Sequence, residues 1–456
     1  MYSEFTIVFL IFYKNIDSKQ VKNSITNSLK DLKVPDLKEF SYSLPQERIA
    51  MYPLPERDMS KLLIYNNGII LENIFRNIFE YLPENGCFVF NNSKVIKARF
   101  FFEKESGGKI EILCLEPLTP VGLYESLMSK KTVEWKCIIG HLKKWKDGIV
   151  RRSFIAHNKT YNLYAERVGK ENGDSWRIRF SWEPDDLTFA HVIELAGHVP
   201  LPPYIKRDDE PEDCLRYQTV YSKIEGSVAA PTAGLHFTPE LLEKARKKSI
   251  EHIEITLHVS AGTFLPVKGK NIIEHEMHRE FFSVDASSIE RLLRTIGKHS
   301  PIISVGTTSM RALESIYWAG VKLSRNYNES VNDNCNNINI YVDQWEPYIT
   351  DSPLKVSESL EVLLNWMTKK GISTLRASTR LIIVPGYRFM IPDVLITNFH
   401  MPESTLLLLI AAWIGPDWKK VYNYAISKNF RFLSYGDSSL LFRNKSDITR
   451  NYITNF

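Results

Sequence analysis

The sequence is poor in cysteine and lacks the spacings in which cysteine usually forms disulfide frameworks or binds metal. Only five cysteines occur among 456 residues, scattered between positions 87 and 335, and no CxxC pair is present. An odd, dispersed set predicts neither a disulfide framework nor a thiolate zinc site. It favours a reducing compartment, and we expect a cytoplasmic protein.

Features of membrane and secreted proteins are also missing. The apolar run at residues 5–13 is far shorter than the ~20 residues that a membrane-spanning helix needs. No basic segment precedes this run and no small-residue cleavage site follows it, so a secretory signal is not indicated. We predict that residues 1–35 form a peripheral extension and that no membrane is a partner.

Three motifs that often identify enzymes are absent from the chain. It contains no GxxxxGK[ST] phosphate loop, no GxGxxG fingerprint and no GxSxG nucleophile elbow. What is present is typical of a globular protein, with 44% hydrophobic and 24% charged residues. The length predicts two or three domains, and the net charge of +5 permits an anionic partner such as RNA without requiring one.

The chain has two regions that differ in the pattern of their apolar residues. Between residues 87 and 185, short apolar runs such as KIEILCL, WKCIIG, YNLYAERV and WRIRFSW alternate with turn residues. This spacing predicts a small antiparallel β-barrel or sandwich, and strands of one larger mixed sheet are the alternative. After residue 185, strands alternate with helices, which predicts an α/β layer. The pattern as a whole predicts the α/β fold class, with a region of short strands at residues 87–185.

A stretch of small and hydroxyl-bearing residues, SVAAPTAGLHFT, occupies residues 227–238 and contains a single ionisable side chain, His236. Thr238 and Pro239 form a helix-start signal directly after it. A helix N-terminus offers free N–H donors to a phosphate or carboxylate. Tight packing around a structural histidine explains the stretch equally well.

Further histidines follow in HIEITLHVSAGTF and EHEMHREFF, namely His258, His275 and His278. Two histidines at HxxH spacing without a third ligand are a weak metal signal. Acid–base work suits imidazole better, because its pKa lies near neutrality. Glu280 lies close by in sequence and could orient a ring or act itself, although a solvated charged face is an equal alternative.

Two strand-to-helix junctions complete the candidates. VGTTSMRALES places hydroxyl groups between a strand and a helix, and TNFHMPEST places Asn398 and His400 at the end of another strand. Ligands of α/β sheets bind at such carboxyl ends, whereas simple helix capping is the other interpretation. These residues alone indicate an α/β enzyme with an anionic or nucleotide-like ligand.

Taken in order, eight segments resemble one family specifically. They are FSYSLPQERIAMYPLPERDMSKLL, FNNSKVIKARF with GGKIEIL, GHVPLPPYIKR, RYQTVYSKIEGSVAAPTAGLHFT, ITLHVSAGTFLPV with HEMHREFF, VGTTSMRALES, IIVPGYRF with LITNFHMPESTLLLL, and FRFLSYGDSSLL. The family is the S-adenosylmethionine:tRNA ribosyltransferase-isomerases of queuosine biosynthesis. The resemblance departs at about residues 317–380, where some forty extra residues, including the Asn-rich NYNESVNDNCNNINI, form an insertion.

The resemblance implies a transferase that moves and isomerises the ribosyl part of S-adenosylmethionine onto 7-aminomethyl-7-deazaguanine at the tRNA wobble position. It implies epoxyqueuosine-tRNA as product, with release of adenine and methionine. S-adenosylmethionine is then a co-substrate, no prosthetic group or metal is expected, and the partner is a tRNA with a GUN anticodon. The family's fold implies a mixed-sheet α/β domain formed by residues 36–86 and 186–456, with an inserted small β-barrel domain at 87–185. We expect a monomer. A non-catalytic RNA-binding protein and a phosphate-ester hydrolase are the competing hypotheses.

Motif membership and residue chemistry supply the candidate site residues. The catalytic candidates are His236, His258, His275, His278 and Glu280. The substrate-binding candidates are Ser227, Thr232, Gly234, Thr238, Gly262, Thr263, Thr307, Thr308, Ser309, Arg311, Glu314, Asn398, His400, Tyr435 and Asp437. The candidates for gripping the anticodon loop are Arg207, Arg216, Tyr217, Tyr221 and Lys223, since arginine and lysine contact phosphates and tyrosine stacks on unpaired bases.

Overall fold

A computed structural model describes residues 36–104, 107–145, 148–171, 173–259, 272–325, 340–350 and 354–443. Three groups of predictions lie outside these ranges. They concern the extension at 1–35, the Asn-rich part of the insertion, and the two loop residues Gly262 and Thr263.

The larger of the two main sheets has ten strands and mixed pairing. Its order is β15-β16-β13-β12-β3-β14-β17-β18-β1-β2, and the run from β12 to β17 is parallel. The strands are β1 (Lys61–Asn66), β2 (Ile69–Ile74), β3 (Cys87–Asn91), β12 (Glu251–His258), β13 (Glu280–Asp285), β14 (Ile302–Val305), β15 (Ile340–Val342), β16 (Thr374–Thr379), β17 (Val394–Asn398) and β18 (Ser438–Phe442). A separate parallel pair joins β4 (Ser93–Val95) and β11 (Ile224–Ser227).

Helices cover both faces of the large sheet. They are α4 (Pro239–Lys247), α5 (Ala286–Gly297), α6 (Thr307–Ser324), α7 (Glu346–Ile349), α8 (Val356–Lys370), α9 (Thr405–Ile414) and α10 (Trp418–Ser427). Earlier in the chain, α1 (Leu123–Met128) and α2 (Phe189–Ala196) pack on the second sheet, and α3 (Asp213–Arg216) packs on a separate small apolar cluster. Neighbouring residues of β14 belong to different cores. Ile302 packs in the cluster of α5, α6 and α9, whereas Ile303 packs in the cluster of α4. The central strand is thus buried on both faces, as parallel sheets require.

The second main sheet has six antiparallel strands in the order β5-β6-β7-β10-β9-β8, and its edge strands also contact each other, which gives a nearly closed barrel. The strands are β5 (Arg99–Glu103), β6 (Lys109–Thr119), β7 (Thr132–Gly140), β8 (Ile149–Ala156), β9 (Lys159–Lys170) and β10 (Ser175–Glu183). Alternate side chains, such as Ile110 and Ile112 of β6, fill its interior. The predicted fold class, a mixed α/β sheet with a small β-barrel, is confirmed.

One strand lies elsewhere than the sequence analysis placed it. The run CFVFN forms β3 between β12 and β14 of the large sheet, so the barrel strands begin at Arg99 and not at Cys87. All five residues of β3 are buried, and such continuous burial belongs to a strand covered on both faces rather than to an alternating barrel strand. The division of the chain into domains stays a prediction.

The segment read as an insertion contributes to the large sheet where it is described. β15 pairs with β16, and β16 pairs with β13. The amphipathic run SLEVLLNWMTKK lies in α8, which packs on α6 and ends at Gly371, whose φ of 66° suits glycine. These residues therefore extend the core rather than only decorating the surface.

Candidate functional site

The two predicted strand-to-helix junctions lie side by side. β14 and β17 are parallel neighbours, so their carboxyl ends meet at one edge of the sheet. Gly306 connects β14 to α6 with a φ of 95°, a conformation that favours glycine, and its N–H donates to the carbonyl of Ile396 over 2.8 Å. The second junction ends at Ser404, whose hydroxyl caps α9 by accepting from the N–H of Leu407.

A cavity of about 320 Å³ lies at this edge, and we call it the large cavity. It is lined by Pro203, Tyr204, Ala229, Ala230, Thr232, Ala233, Val259, Gly306, Thr307, Thr308, Thr397, Asn398, Phe399, His400, Met401, Pro402, Glu403, Ser404, Leu406, Leu433 and Ser434. Five predicted substrate-binding residues are among them, namely Thr232, Thr307, Thr308, Asn398 and His400. The lining as a whole comes from six of the eight segments that carry the family resemblance, so distant parts of the sequence converge on one space.

Hydrogen-bonding groups remain available around the large cavity. The buried hydroxyl oxygen of Thr308 has no hydrogen-bond partner. The first residues of α6 and α9 both line the space, and helix N-termini present N–H donors with a partial positive charge. A ligand with several acceptor atoms would satisfy these groups.

His236 lies directly behind the wall of the large cavity. Its Nε2 is 3.2 Å from Oδ1 of Asn398, and its Nδ1 is 2.8 Å from Oγ of Ser60. The amide nitrogen of Asn398 donates to the carbonyls of Leu433 and Ser434, so Oδ1 must accept from His236. Burial lowers the pKa of His236 to about 4. The ring is therefore neutral with both nitrogens engaged, and it fixes the orientation of Asn398.

His400 differs because it lines the large cavity itself. Its Nε2 is 3.0 Å from the hydroxyl oxygen of Thr397, and that hydroxyl also donates to the carbonyl of Asn398. His400 Nε2 then carries the hydrogen, which leaves the lone pair on Nδ1. Burial lowers the pKa of His400 to about 3, so the ring is neutral and this lone pair is available to accept a hydrogen bond.

His258 lies at the end of β12, next to Val259 of the large cavity. Its Nδ1 is buried and has no hydrogen-bond partner, and burial lowers its pKa to about 4.

The hydroxyl of Ser227 donates to the carbonyl of Ala229 over 2.7 Å and accepts from the N–H of Val259 over 3.0 Å. Ser227 therefore joins the end of β12 to the start of the small-residue stretch, as a support rather than a lining residue.

A second, small cavity of about 30 Å³ contains the remaining catalytic candidates. It is lined by His275, Met277, His278, Glu280, Arg311, Leu381, Ile382, Ile383, Thr405, Leu406 and Leu409. Glu280 and Arg311 form a buried ion pair of 2.5 Å between Oε2 and Nη1. Burial is the largest cause that lowers the pKa values of His275 and His278. Leu406 lines both cavities, so the two spaces are neighbours.

Glu314 is buried away from both cavities and organises the PGYRF segment. Its carboxylate accepts from the hydroxyl of Tyr387 over 2.6 Å and from the N–H groups of Met390 and Ile391 over 3.0 and 2.9 Å. Burial raises its pKa. The side chain thus holds the loop that leads into β17.

Other candidates support the surrounding backbone. Thr238 caps α4 by accepting from the N–H of Leu241, as the sequence indicates. Ser309 of α6 donates to the carbonyl of Val305, the last residue of β14. A Cβ at Gly234 would lie 1.9 Å from the hydroxyl of Tyr221, so only glycine fits there. Asp437 accepts from the N–H groups of Lys61 and Arg431, and burial raises its pKa.

Most of the predicted RNA-binding side chains are engaged within the protein. Arg207 forms a bidentate pair with Asp213, which also accepts from the hydroxyl of Tyr435 over 2.7 Å. Arg216 pairs with Glu212. The rings of Tyr217 and Tyr221 are 0% and 8% exposed, so neither presents a face to a base in this conformation. Lys223 is exposed and pairs with Glu254.

The lining residues that were not among the candidates include a hydrogen-bonded pair of polar side chains. Tyr204 and Ser434 hydrogen-bond to each other over 2.6 Å, and burial raises the pKa of Tyr204 to about 12. Both occur in segments quoted for the family resemblance, GHVPLPPYIKR and FRFLSYGDSSLL. The signal that could have identified them is the tyrosine directly after the LPP turn and the serine directly before the predicted Tyr435.

Neither a metal-binding cluster nor a membrane-spanning helix occurs among the described residues. No group of three or more histidine, cysteine or acidic side chains is arranged to hold a metal ion within the described ranges. Among the described helices, none combines the length and the apolar character that crossing a membrane requires.

The family profile and the curated relatives identify one family. The profile of the queuosine biosynthesis protein family matches residues 37–441. The chain is 38% identical to the S-adenosylmethionine:tRNA ribosyltransferase-isomerase of Halothermothrix orenii over 89% of this chain and 99% of that protein. It is 36% identical to that of Thermotoga petrophila over 88% and 98%. A crystal structure of the S-adenosylmethionine tRNA ribosyltransferase from Thermotoga maritima is 29% identical, with 89% and 100% coverage and a TM-score of 0.42.

Proposed function

The chain belongs to the queuosine biosynthesis protein family, and on that premise we propose that it is an S-adenosylmethionine:tRNA ribosyltransferase-isomerase. The reaction transfers and isomerises the ribosyl moiety of S-adenosylmethionine onto 7-aminomethyl-7-deazaguanine at the wobble position of a tRNA with a GUN anticodon. Its products are epoxyqueuosine-tRNA, adenine and methionine. S-adenosylmethionine is the co-substrate, with no prosthetic group.

The observation that carries this proposal is the convergence of six of the eight family segments on the large cavity. Thr232, Thr307, Thr308 and Asn398 supply hydroxyl and amide groups around a space of about 320 Å³. Pockets for small molecules begin at roughly this size and combine apolar walls with a few polar groups. We assign the adenosine part of the donor to this cavity, at the carboxyl ends of β14 and β17.

The chemistry requires a proton acceptor close to the ribose. The sulfonium of the donor acidifies the adjacent 5′ methylene, so a positioned neutral base can remove a proton and form an ylide. His400 is the histidine among the lining residues, and it is neutral at the pH of a cell because burial lowers its pKa to about 3. We assign the proton acceptor to His400 and a positioning role to His236, whose two nitrogens are already hydrogen-bonded.

The amine of the modified base must then attack the ribosyl group of the donor, in a site from which water is kept away. We place the RNA at the open side of the large cavity. We propose a cytoplasmic monomer in which the six-stranded barrel forms a domain separate from the α/β part.

Adenine release is the direct test. Purified protein is mixed with S-adenosylmethionine and a tRNA that carries 7-aminomethyl-7-deazaguanine, and adenine and modified tRNA are quantified by liquid chromatography and mass spectrometry. We expect one adenine per modified tRNA. The same tRNA carrying guanine at the wobble position is the matched control and should release none. Folded protein that binds the tRNA but releases no adenine would be a binding protein, and phosphate-ester cleavage without S-adenosylmethionine would identify a hydrolase.

A further inference from the structure

The small cavity contains an arginine nitrogen that lacks a partner. Arg311 is 5% exposed; its Nε donates to the carbonyl of Leu381 over 3.2 Å, and its Nη1 pairs with Glu280. Its Nη2 is buried and has no hydrogen-bond partner. A buried donor without a partner is costly, and a guanidinium is suited to bind a carboxylate. An anionic group in the cavity would complete its hydrogen bonding.

Glu280 supplies the opposite charge in the same space. It is 2% exposed and lines the cavity together with Arg311. A lone anion added to this neutral ion pair would leave one uncompensated buried charge, which is strongly unfavourable. A zwitterion adds no net charge, because it brings an ammonium together with its carboxylate. The charge balance of the cavity therefore favours an α-amino acid group over a single anion.

Size points to the same ligand. The volume of about 30 Å³ accommodates about two water-sized groups, since one such group needs ~10–15 Å³. A nucleoside is too large for this space. An RNA phosphodiester is flanked by two riboses and cannot enter so small a pocket end-on. The ammonium and carboxylate at the end of an amino acid can, and the large cavity is adjacent, because Leu406 lines both spaces.

We propose that the small cavity binds the α-amino acid end of the sulfonium donor, with Arg311 as the partner of the carboxylate and Glu280 as the partner of the ammonium. This assignment rests on the proposed function, because it takes S-adenosylmethionine as the donor. His275 and His278 line the same cavity and provide further hydrogen-bonding groups for the carboxylate. The donor then spans both cavities, with its adenosine in the large one and its amino acid in the small one.

Binding measurements with two sulfonium ligands test the proposal. S-adenosylmethionine and decarboxylated S-adenosylmethionine share the adenosine, the sulfonium and the ammonium, and differ in the carboxylate. Isothermal titration calorimetry without tRNA should show that the wild type prefers the carboxylated ligand. In Arg311→Gln the affinity for S-adenosylmethionine should fall roughly tenfold to a hundredfold, while the affinity for the decarboxylated ligand should stay within about threefold of wild type.

Two further variants keep the result interpretable. Arg311→Gln leaves Glu280 buried without its partner and can fail to fold, so the double variant Arg311→Met with Glu280→Gln removes both charges. It should also lose the preference between the ligands. Arg279→Gln is the matched control, because Arg279 directly precedes Glu280 but donates to Ser378 outside the cavity lining. It should keep the wild-type preference.

The outcomes separate this proposal from the function on which it rests. If the wild type binds both ligands equally, or if Arg311→Gln and the double variant weaken both ligands by the same factor, the small cavity does not bind the amino acid end. Adenine release by the wild type would then still support the proposed function. A wild type that binds neither ligand and releases no adenine would overturn both.

Discussion

The two main sheets bury different kinds of side chains. Within the described residues 99–183, which form the barrel, no charged side chain is buried, and its ion pairs, such as Arg179 with Glu134, lie on the outside. The large sheet and its helices bury several ionisable groups, among them His236, His400 and Glu314.

This difference distinguishes a structural core from a site. Burying a polar group is costly unless it is hydrogen-bonded, and the barrel avoids that cost by burying apolar residues. The large sheet does bury polar groups at the carboxyl ends of β14 and β17, where the two cavities lie. Buried groups with shifted pKa values concentrate at functional sites, so the large sheet is the region in which substitutions should affect chemistry.

The largest difference in activity should come from replacing one histidine next to each sheet. His400→Ala removes the proposed proton acceptor and should lower the rate of adenine release by about a hundredfold or more. The variant should also fail to exchange the 5′ protons of S-adenosylmethionine with solvent deuterium, as followed by NMR. His157→Ala, an exposed residue between β8 and β9, is the matched control and should behave as wild type. Normal exchange in His400→Ala would show that another residue, such as a different histidine, is the proton acceptor.

The elements of the large sheet that the sequence predicted best have local signals. Thr238 and Pro239 mark the start of α4, and Gly306 marks the turn before α6. Each depends on a few neighbouring residues, and chain-local physics decides them. Thr307 and Asn398 line the large cavity together because parallel strands bring their carboxyl ends to the same edge, and their role in substrate binding stays a prediction.

The rest depends on partners distant in sequence. β3 was assigned to the barrel because alternating and continuous apolar runs are hard to distinguish in five residues. Glu314 occurs in a motif at a junction, yet its partners Tyr387 and Met390 lie more than 70 residues away. Only the folded chain shows that His236 has both nitrogens engaged, and no local pattern in SVAAPTAGLHFT encodes Ser60 or Asn398.

A smaller effect should appear in the pH dependence of stability, because His236 is buried as a neutral ring. Its folded pKa of about 4 lies below the usual 6.5, so the unfolded chain binds more protons between these values. The contribution of His236 to the free energy of unfolding is complete above pH 6.5 and is lost as the pH falls toward 4. Between pH 7.5 and 5.0 this amounts to roughly 2 kcal/mol.

Urea denaturation of the wild type and of His236→Gln at both pH values measures this contribution. The variant should be less stable at pH 7.5, because Ser60 and Asn398 lose their shared partner. Its loss of unfolding free energy on acidification should be about 2 kcal/mol smaller than that of wild type. Equal losses in the two proteins would mean that His236 does not titrate between these limits.

The smallest effect is expected on the outside of the barrel, where charges stay in contact with water. Arg179 bonds to Glu134 and Glu166, but its side chain is 44% exposed. Exposed ion pairs contribute less than about 1 kcal/mol, so Arg179→Ala should lower the unfolding free energy by no more than that, and adenine release should be unchanged. Because salt screens exposed charges, the difference from wild type should shrink further in 1 M sodium chloride, a concentration at which the Debye length is only ~3 Å. A loss above about 2 kcal/mol that persists in salt would show that the outer face of the barrel, like the carboxyl edge of the large sheet, depends on its charged groups.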